Sequence, residues 1–291
     1  MHIHSLPREL LLHIVELTIT TNPKSDRDNR KTLFTLALVS PLLSNLVSYI
    51  LYHTVFLTSP RAVRLLSRTA QTDGGRKKLG KWVENLFVGE IHFNFRTPVQ
   101  VRDDQLQSIL RSVPNVRKLA LHESAVHALI GVGPDIRPTH LEFSTLSTLP
   151  SNLRFPPTLF ERATHLSFAS PGEKWVDPVP FLSSLPLTSS LTHIALARRE
   201  HSNTENDIIF TTAILSLLSS SYLQRIVVRM FPTYEGPGAE NDTEADIWRI
   251  LNEAIGFEKR VIMKNGSWDA WKEEWEDGVK GRRCPWERVR E

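Results

Sequence analysis

A six-residue pattern, apolar-x-x-apolar-x-apolar, constrains this chain more than any other feature. It stands at Val83-x-x-Leu86-x-Val88, Val116-x-x-Leu119-x-Leu121, Leu191-x-x-Ile194-x-Leu196 and Leu223-x-x-Ile226-x-Val228. Shorter forms occur at Leu141-x-Phe143 and Leu166-x-Phe168, and a looser strand at Val261-Ile262-Met263. Alternation with period two reads as short strands. With the fourth position as marker, residues 86, 119, 141, 166, 194 and 226 are separated by 33, 22, 25, 28 and 32 residues. Apolar helical segments fill several gaps, among them Leu106, Ile109, Leu110 and Val113, then Phe181, Leu182 and Leu185, then Ile214, Leu215, Leu217 and Leu218. One strand and one helix cannot bury their apolar faces alone, but stacked copies can, so the pattern predicts an α/β array.

Side chains alternate along a strand, so if positions four and six point inward, positions three and five face the open side. Those positions are Asn85 and Phe87, Lys118 and Ala120, His140 and Glu142, His165 and Ser167, His193 and Ala195, Arg225 and Val227. Three successive units share Thr-His-apolar at Thr139-His140-Leu141, Thr164-His165-Leu166 and Thr192-His193-Ile194. Neighbouring strands lie about 4.8 Å apart, so the three imidazoles are expected to form a column that titrates near pH ~6.5. Lys118, His140, Glu142, His165, His193 and Arg225 form the expected recognition strip for a target protein. A metal is not expected there, since zinc wants a fourth ligand and supporting hydrogen bonds.

The first eighty residues read as short helices. Ser5, Pro7 and Glu9 make a helix start, and Leu6, Leu10, Ile14 and Leu17 recur on one apolar face. A polar stretch from Thr18 to Arg30 reads as a loop, and a second helix is predicted from Thr32 through Leu36, Leu38 and Val39. Ser40-Pro41 interrupts it, since the residue before proline disfavours the α region. A third helix carries Leu42, Leu46, Ile50 and Leu51, Tyr52 to Leu57 alternates like a strand, and Ser59-Pro60 opens a further helix. The paired glycines of Thr72-Asp73-Gly74-Gly75-Arg76-Lys77-Lys78 read as a loop and a boundary.

The ordered pattern Leu6-Pro7-x-Glu9-Leu10-Leu11-x-x-Ile14, then Leu36-x-Leu38-Val39-Ser40, then Leu51-Tyr52-x-x-Val55 resembles an F-box-like domain over roughly residues 4–57. The resemblance implies a three-helix module that docks on a Skp-type adaptor, and through it on a cullin, in a ubiquitin ligase. Leu6, Pro7, Leu10, Ile14, Leu38, Val39 and Leu51 would supply the adaptor contact, and the rest of the chain would select a target. The sequence departs from the family pattern in its long 18–32 loop and in Leu43, which stands where the family commonly has a tryptophan. The array beyond residue 81 is similar to a degenerate leucine-rich-repeat domain, a common companion of F-box modules. The expected organisation is a helical module at 1–57, a connecting helix and linker at 58–81, and a repeat domain at 82–291. The same residues also fit a leucine-rich-repeat interaction scaffold that does not bind the adaptor.

Charge follows this division. Residues 1–81 hold 12 Lys and Arg against 5 Asp and Glu, a net +7, while residues 82–291 hold 23 against 27, a net −4. The overall +3 is too small to point to nucleic acid as a partner. The run from Arg76 to Lys81 reads as a solvated surface. No run of ~18 apolar residues suggests a membrane span, and the N-terminus lacks the shape of a signal peptide, so a cytoplasmic or nuclear location is expected.

Trp268, Trp271, Trp275 and Val279 fall on one helical face, expected to cap the open end of the array, with Trp286 beyond it. Cys284 is the one cysteine, beside Arg282 and Arg283, and reads as a bystander without a catalytic setting. Gly131-Val132-Gly133-Pro134-Asp135 lacks phosphate-loop spacing. Residues 234–246 and Arg198 to Asp207 read as surface loops. No nucleophile or acid–base constellation stands out, so neither catalysis nor a cofactor is expected.

Overall fold

Local sequence signals set several helix starts in the computed structural model, which describes residues 7–20, 26–91, 99–130, 136–145, 157–172, 176–178, 180–181, 190–201, 203–232, 245–256, 258–267, 271–280 and 286. The N-terminal helices are α1 (Arg8–Thr20), α2 (Asp26–Val39) and α3 (Pro41–His53). Ser40 caps α3 by accepting a hydrogen bond from the Leu43 N–H at 3.2 Å, with Pro41 in the first turn. The polar stretch expected as a loop is mostly helical, because α1 continues to Thr20 and α2 begins at Asp26.

These helices enclose a small core of Leu11, Val15, Leu33, Leu43, Leu46 and Val47. A separate and much larger core lies under the sheet, so the N-terminal helices pack around apolar residues of their own. Leu43, at the position that departs from the family pattern, is one of the buried residues of this small core.

The sheet starts earlier than the repeat pattern suggests. Its eight strands are β1 (Thr54–Leu57), β2 (Asn85–Val88), β3 (Lys118–Leu121), β4 (His140–Thr145), β5 (His165–Ser170), β6 (His193–Arg199), β7 (Arg225–Phe231) and β8 (Val261–Asn265). All neighbours are parallel and the spatial order is the chain order, β1 to β8. The remaining helices are α4 (Pro60–Ala70), α5 (Asp73–Trp82), α6 (Val99–Arg111), α7 (Glu123–Ile130), α8 (Thr204–Leu218), α9 (Asp246–Ile255) and α10 (Trp271–Val279), ten among the described residues. The chain is therefore α/β with an open, all-parallel sheet.

Val55, Leu86, Leu119, Leu141, Leu166, Ile194, Ile226 and Val261 pair in register from strand to strand. Helices α4 to α9 pack on this row and on the row two residues further along, with Val63, Leu79, Ile109, Val126, Ile214 and Ile247 in one continuous core. Since Val63, Ala70 and Leu79 belong to that core, residues 58–81 are part of the sheet's packing and are not a free linker.

Two segments expected as loops are ordered elements. Residues 73–82 form α5, capped by Thr72, whose hydroxyl accepts from the Gly75 N–H at 3.1 Å. Gly75 is needed for close approach, since a Cβ there would lie 2.0 Å from the Thr69 carbonyl oxygen. Residues 198–207 are only partly a surface loop: Arg198 and Arg199 belong to β6, and α8 starts at Thr204. β6 runs on to Arg199, and the Arg198 guanidinium donates through Nε to Asp207 Oδ1 at 3.1 Å. Arg198, Glu200 and Asp207 are all at least 96% buried, at 4%, 2% and 1% exposure. The misreading came from charge: ionisable residues are buried when they find partners, as Arg198 and Asp207 do here.

Leu6, Gly131 to Asp135, Leu182, Leu185, residues 234–244, Trp268 and Cys284 lie outside the described residues.

Candidate functional site

Two surfaces carry the residues singled out by sequence. The first is on α1 and α2. Leu11 and Val15 are buried in the helical core, while Leu10 and Ile14, one position earlier on the wheel, are 52% and 50% exposed. A step of one residue turns about 100° around a helix, so the two apolar pairs occupy different faces. In α2, Leu33 is buried, whereas Phe34, Leu38 and Val39 are 59%, 88% and 67% exposed. Pro7 is exposed as well. Leu51 differs, being half-buried and packed against the small core. Sequence reasoning missed Phe34; its i, i+4 spacing to Leu38 on α2 was the available signal.

The second surface is the sheet face opposite α4 to α9. Positions three and five do lie there in register, with His140 beside His165 and His165 beside His193. This face is not open. Helix α10 does not cap the end of the array; it lies across the face, where Trp275 is buried with Phe87 and Ala120, and Phe56, Trp271 and Val279 close the cluster. Further along, Trp286 covers Ala195, Val227 and Ile262. Open-end capping was the wrong expectation because the fifth positions Phe56, Phe87 and Ala120 form an apolar patch at the β1–β3 end, and tryptophan side chains bury it.

Polar contacts fasten the helix at three points. Trp271 Nε1 donates to Glu142 Oε1, and Lys118 Nζ donates to the Gly278 carbonyl at 2.9 Å. Arg229 Nη1 lies 3.4 Å from Glu274 Oε2. Lys118 and Glu142, expected in a free recognition strip, are thus engaged by the chain's own C-terminal helix. Arg225 is directed to the turn before β8 and donates to the Lys259 carbonyl at 2.8 Å. Burial pushes the Glu142 carboxyl up from its ordinary range, opposed by Arg229 and by the Trp271 hydrogen bond.

The three histidines form the expected column. Their rings stack at 4.1 Å and 8° between His140 and His165, and at 4.2 Å and 16° between His165 and His193. Each preceding threonine hydroxyl meets a carbonyl of the previous strand, Thr139 with Arg117, Thr164 with Thr139 and Thr192 with Thr164, at 3.0 to 3.2 Å. The same hydroxyls lie 3.0, 2.8 and 2.7 Å from Nδ1 of His140, His165 and His193. A hydroxyl has one hydrogen, so with it committed to the carbonyl, Nδ1–H is the donor to the threonine oxygen and Nε2 keeps its lone pair.

Burial holds His140 at about 4 and His165 at about 3, with Lys118 and the neighbouring rings adding to it, in place of the expected value near 6.5. Burial and Arg225 lower His193 too. Parallel rings cannot converge on one ion, and among the described residues no group of three His, Cys, Asp or Glu side chains is placed to hold a metal. Among the described residues no helix is long and apolar enough to cross a membrane.

No protein-family model, no curated protein and no solved structure matches the chain.

Proposed function

We propose that this chain is the non-catalytic target-recognition subunit of a Skp–cullin–F-box type ubiquitin ligase. The observation that carries the reading is the set of exposed large apolar side chains on α1 and α2. Leu10, Ile14, Phe34, Leu38 and Val39 stay exposed although the same two helices bury Leu11, Val15 and Leu33. Five exposed large apolar residues on two short helices support an interaction site there. Four of the seven residues that the F-box resemblance assigns to the adaptor fall within this set: Leu10, Ile14, Leu38 and Val39.

The strictly sequential, all-parallel strand order supports reading the sheet as a degenerate leucine-rich-repeat array, in which each unit adds one strand beside the last. Helices α1 and α2 take up most of the 18–32 stretch, which supports a compact helical module despite the added length. Ubiquitin transfer itself would fall to other subunits, and the target would be a protein held on the array.

The test is co-purification of the full chain with a Skp-type adaptor. The wild-type chain retains the adaptor, and Leu10→Asp with Leu38→Asp releases it, while the melting temperature stays nearly constant because exposed substitutions cost within about 0.5 kcal/mol each. A wild-type chain that never retains the adaptor would leave the scaffold reading in its place.

A further inference from the structure

Helix α10 lies where the target of the array is expected. Lys118 and Glu142, residues of the expected recognition strip, both engage it: Lys118 Nζ donates to the Gly278 carbonyl, and Glu142 accepts from the Trp271 indole N–H. Arg229, on the same face of β7, meets the Glu274 carboxylate at 3.4 Å. The chain's own C-terminal helix makes there the kinds of contact by which a protein segment is bound.

The attachment is light. With nine residues, α10 is shorter than the about 12–15 at which an isolated helix is marginal in water, so docking on the sheet is what keeps it helical. One of the nine, Trp275, is fully buried. A cavity of about 300 Å³ remains between helix and sheet, with Lys118, His140 and His165 on one wall and Trp275, Gly278 and Val279 on the other. Atoms facing a gap lose the dispersion contacts that a filled interface would give, so α10 is held by one aromatic cluster and three polar links. On the opposite face, Leu119, Leu141, Leu166 and Ile194 are at most 1% exposed under α4 to α9.

The same links define what fits in place of α10. Phe56, Phe87 and Ala120 take an aromatic side chain, Glu142 takes an N–H donor, Arg229 takes an acid, and Lys118 takes a carbonyl at a helix C-terminus. On α10 these are met by Trp275, Trp271, Glu274 and Gly278, four positions on one helical stripe. Residues 271–280 hold Glu273, Glu274, Glu276 and Asp277 against Lys272 and Lys280, a net −2. We propose that this face is where the array takes its target, and that α10 occupies it until the target displaces it. The target segment that fits is an acidic amphipathic helix with two aromatic residues four apart and an acid just before the second. The proposal rests on the reading of the array as a target receptor and not on adaptor docking, which uses α1 and α2.

The probe is the helix itself: a peptide of residues 271–280, locked by a lactam between Glu276 and Lys280, which pair at 3.3 Å and take no part in the three links. A control peptide carries Trp271→Ala and Trp275→Ala. Displacement is read by NMR on the full, isotope-labelled chain as loss of the docked indole N–H signals of Trp271 and Trp275. A tethered segment acts at an effective concentration in the millimolar range, so about 1 mM peptide is expected to release about a tenth or more of α10. Trp271→Ala in the chain is expected to lower the peptide midpoint by about tenfold, read at Trp275. No displacement at about 5 mM, equal displacement by the control, or an unchanged midpoint in the folded variant would each overturn the proposal. If the Trp271→Ala chain unfolds, the two peptides on the wild-type chain still decide it. Neither peptide is expected to alter adaptor co-purification, so a chain that never retains the adaptor fails the ligase reading alone.

Discussion

The two faces of the sheet are built from adjacent residues of the same strands, yet they bury themselves differently. On the side of α4 to α9, the row from Val55 through Leu86, Leu119, Leu141, Leu166, Ile194 and Ile226 to Val261 is apolar at every strand. One residue later the row runs Phe56, Phe87, Ala120, Glu142, Ser167, Ala195, Val227 and Ile262, apolar at both ends and polar in the middle. The first face is satisfied by any apolar cover of the right volume. The second requires particular partners: tryptophans over its phenylalanines, an indole N–H for Glu142, a carboxylate for Arg229. The polar middle is also where a cavity remains among the described residues.

The comparison is most sharply tested on the apolar face. Phe143, fully buried, should lose about 3–5 kcal/mol when changed to alanine, read as a drop in the urea midpoint with loss of the whole fold in one transition. On the opposite face, Trp275→Ala should cost less, about 2–3 kcal/mol, because Trp275 belongs to a small cluster around Phe87 and Ala120. Its effect should be local: limited proteolysis should cut within 271–280 while the sheet core stays resistant. Equal losses for the two substitutions, or global unfolding from the second, would erase the distinction between the faces.

The smallest effect expected is a pH dependence carried by the histidine column. The folded state keeps His165 neutral down to about pH 3, whereas the unfolded chain takes up that proton below pH 6.5. Protons then favour the unfolded state, so the chain should lose stability as pH falls from 6.5 towards 3, and His140 adds to this down to about 4. Glu142 has the opposite sign, since its raised pKa favours the folded state at low pH. His165→Gln leaves Glu142 in place and should flatten the loss, seen as urea midpoints at pH 7 and pH 5. Parallel pH profiles for wild type and variant would show the column to be solvated like any surface histidine.

Much of this was legible in the residues. The six-residue pattern located six of the eight strands and their pairing register, because period-two alternation and burial on one face leave little freedom to slip. The Thr-His repeats located the imidazole column for the same reason. Ser59-Pro60 marked the start of α4, where the Ser59 hydroxyl accepts from Ala62 N–H at 3.3 Å. Other features were hidden by physics that is not local. Gly74-Gly75 looked like a loop, but the glycine is there for the approach of the Thr69 carbonyl. Arg198 to Asp207 looked solvated, but the charges neutralise one another across nine residues. The stripe of Leu6, Leu10, Ile14 and Leu17 marked an apolar helix face, but spacing did not say that the neighbouring Leu11 and Val15 would be the ones buried.

What the amino-acid sequence determined by itself is the repeating unit: strand positions, apolar register, helix starts and the stacked histidines. All of these depend on residues within a few positions of one another or on one pattern repeated in order. The tertiary structure alone decided what covers the face opposite α4 to α9. Lys118 and Gly278 are 160 residues apart, and Trp271 reaches Glu142 across 129. No spacing rule links such pairs, since a helix of nine residues can bury its tryptophans on any apolar patch that the folded chain brings within reach. The cost of leaving Phe87 and Trp275 in water, set against the polar middle of the same face, selects where α10 comes to rest and leaves the cavity beside it.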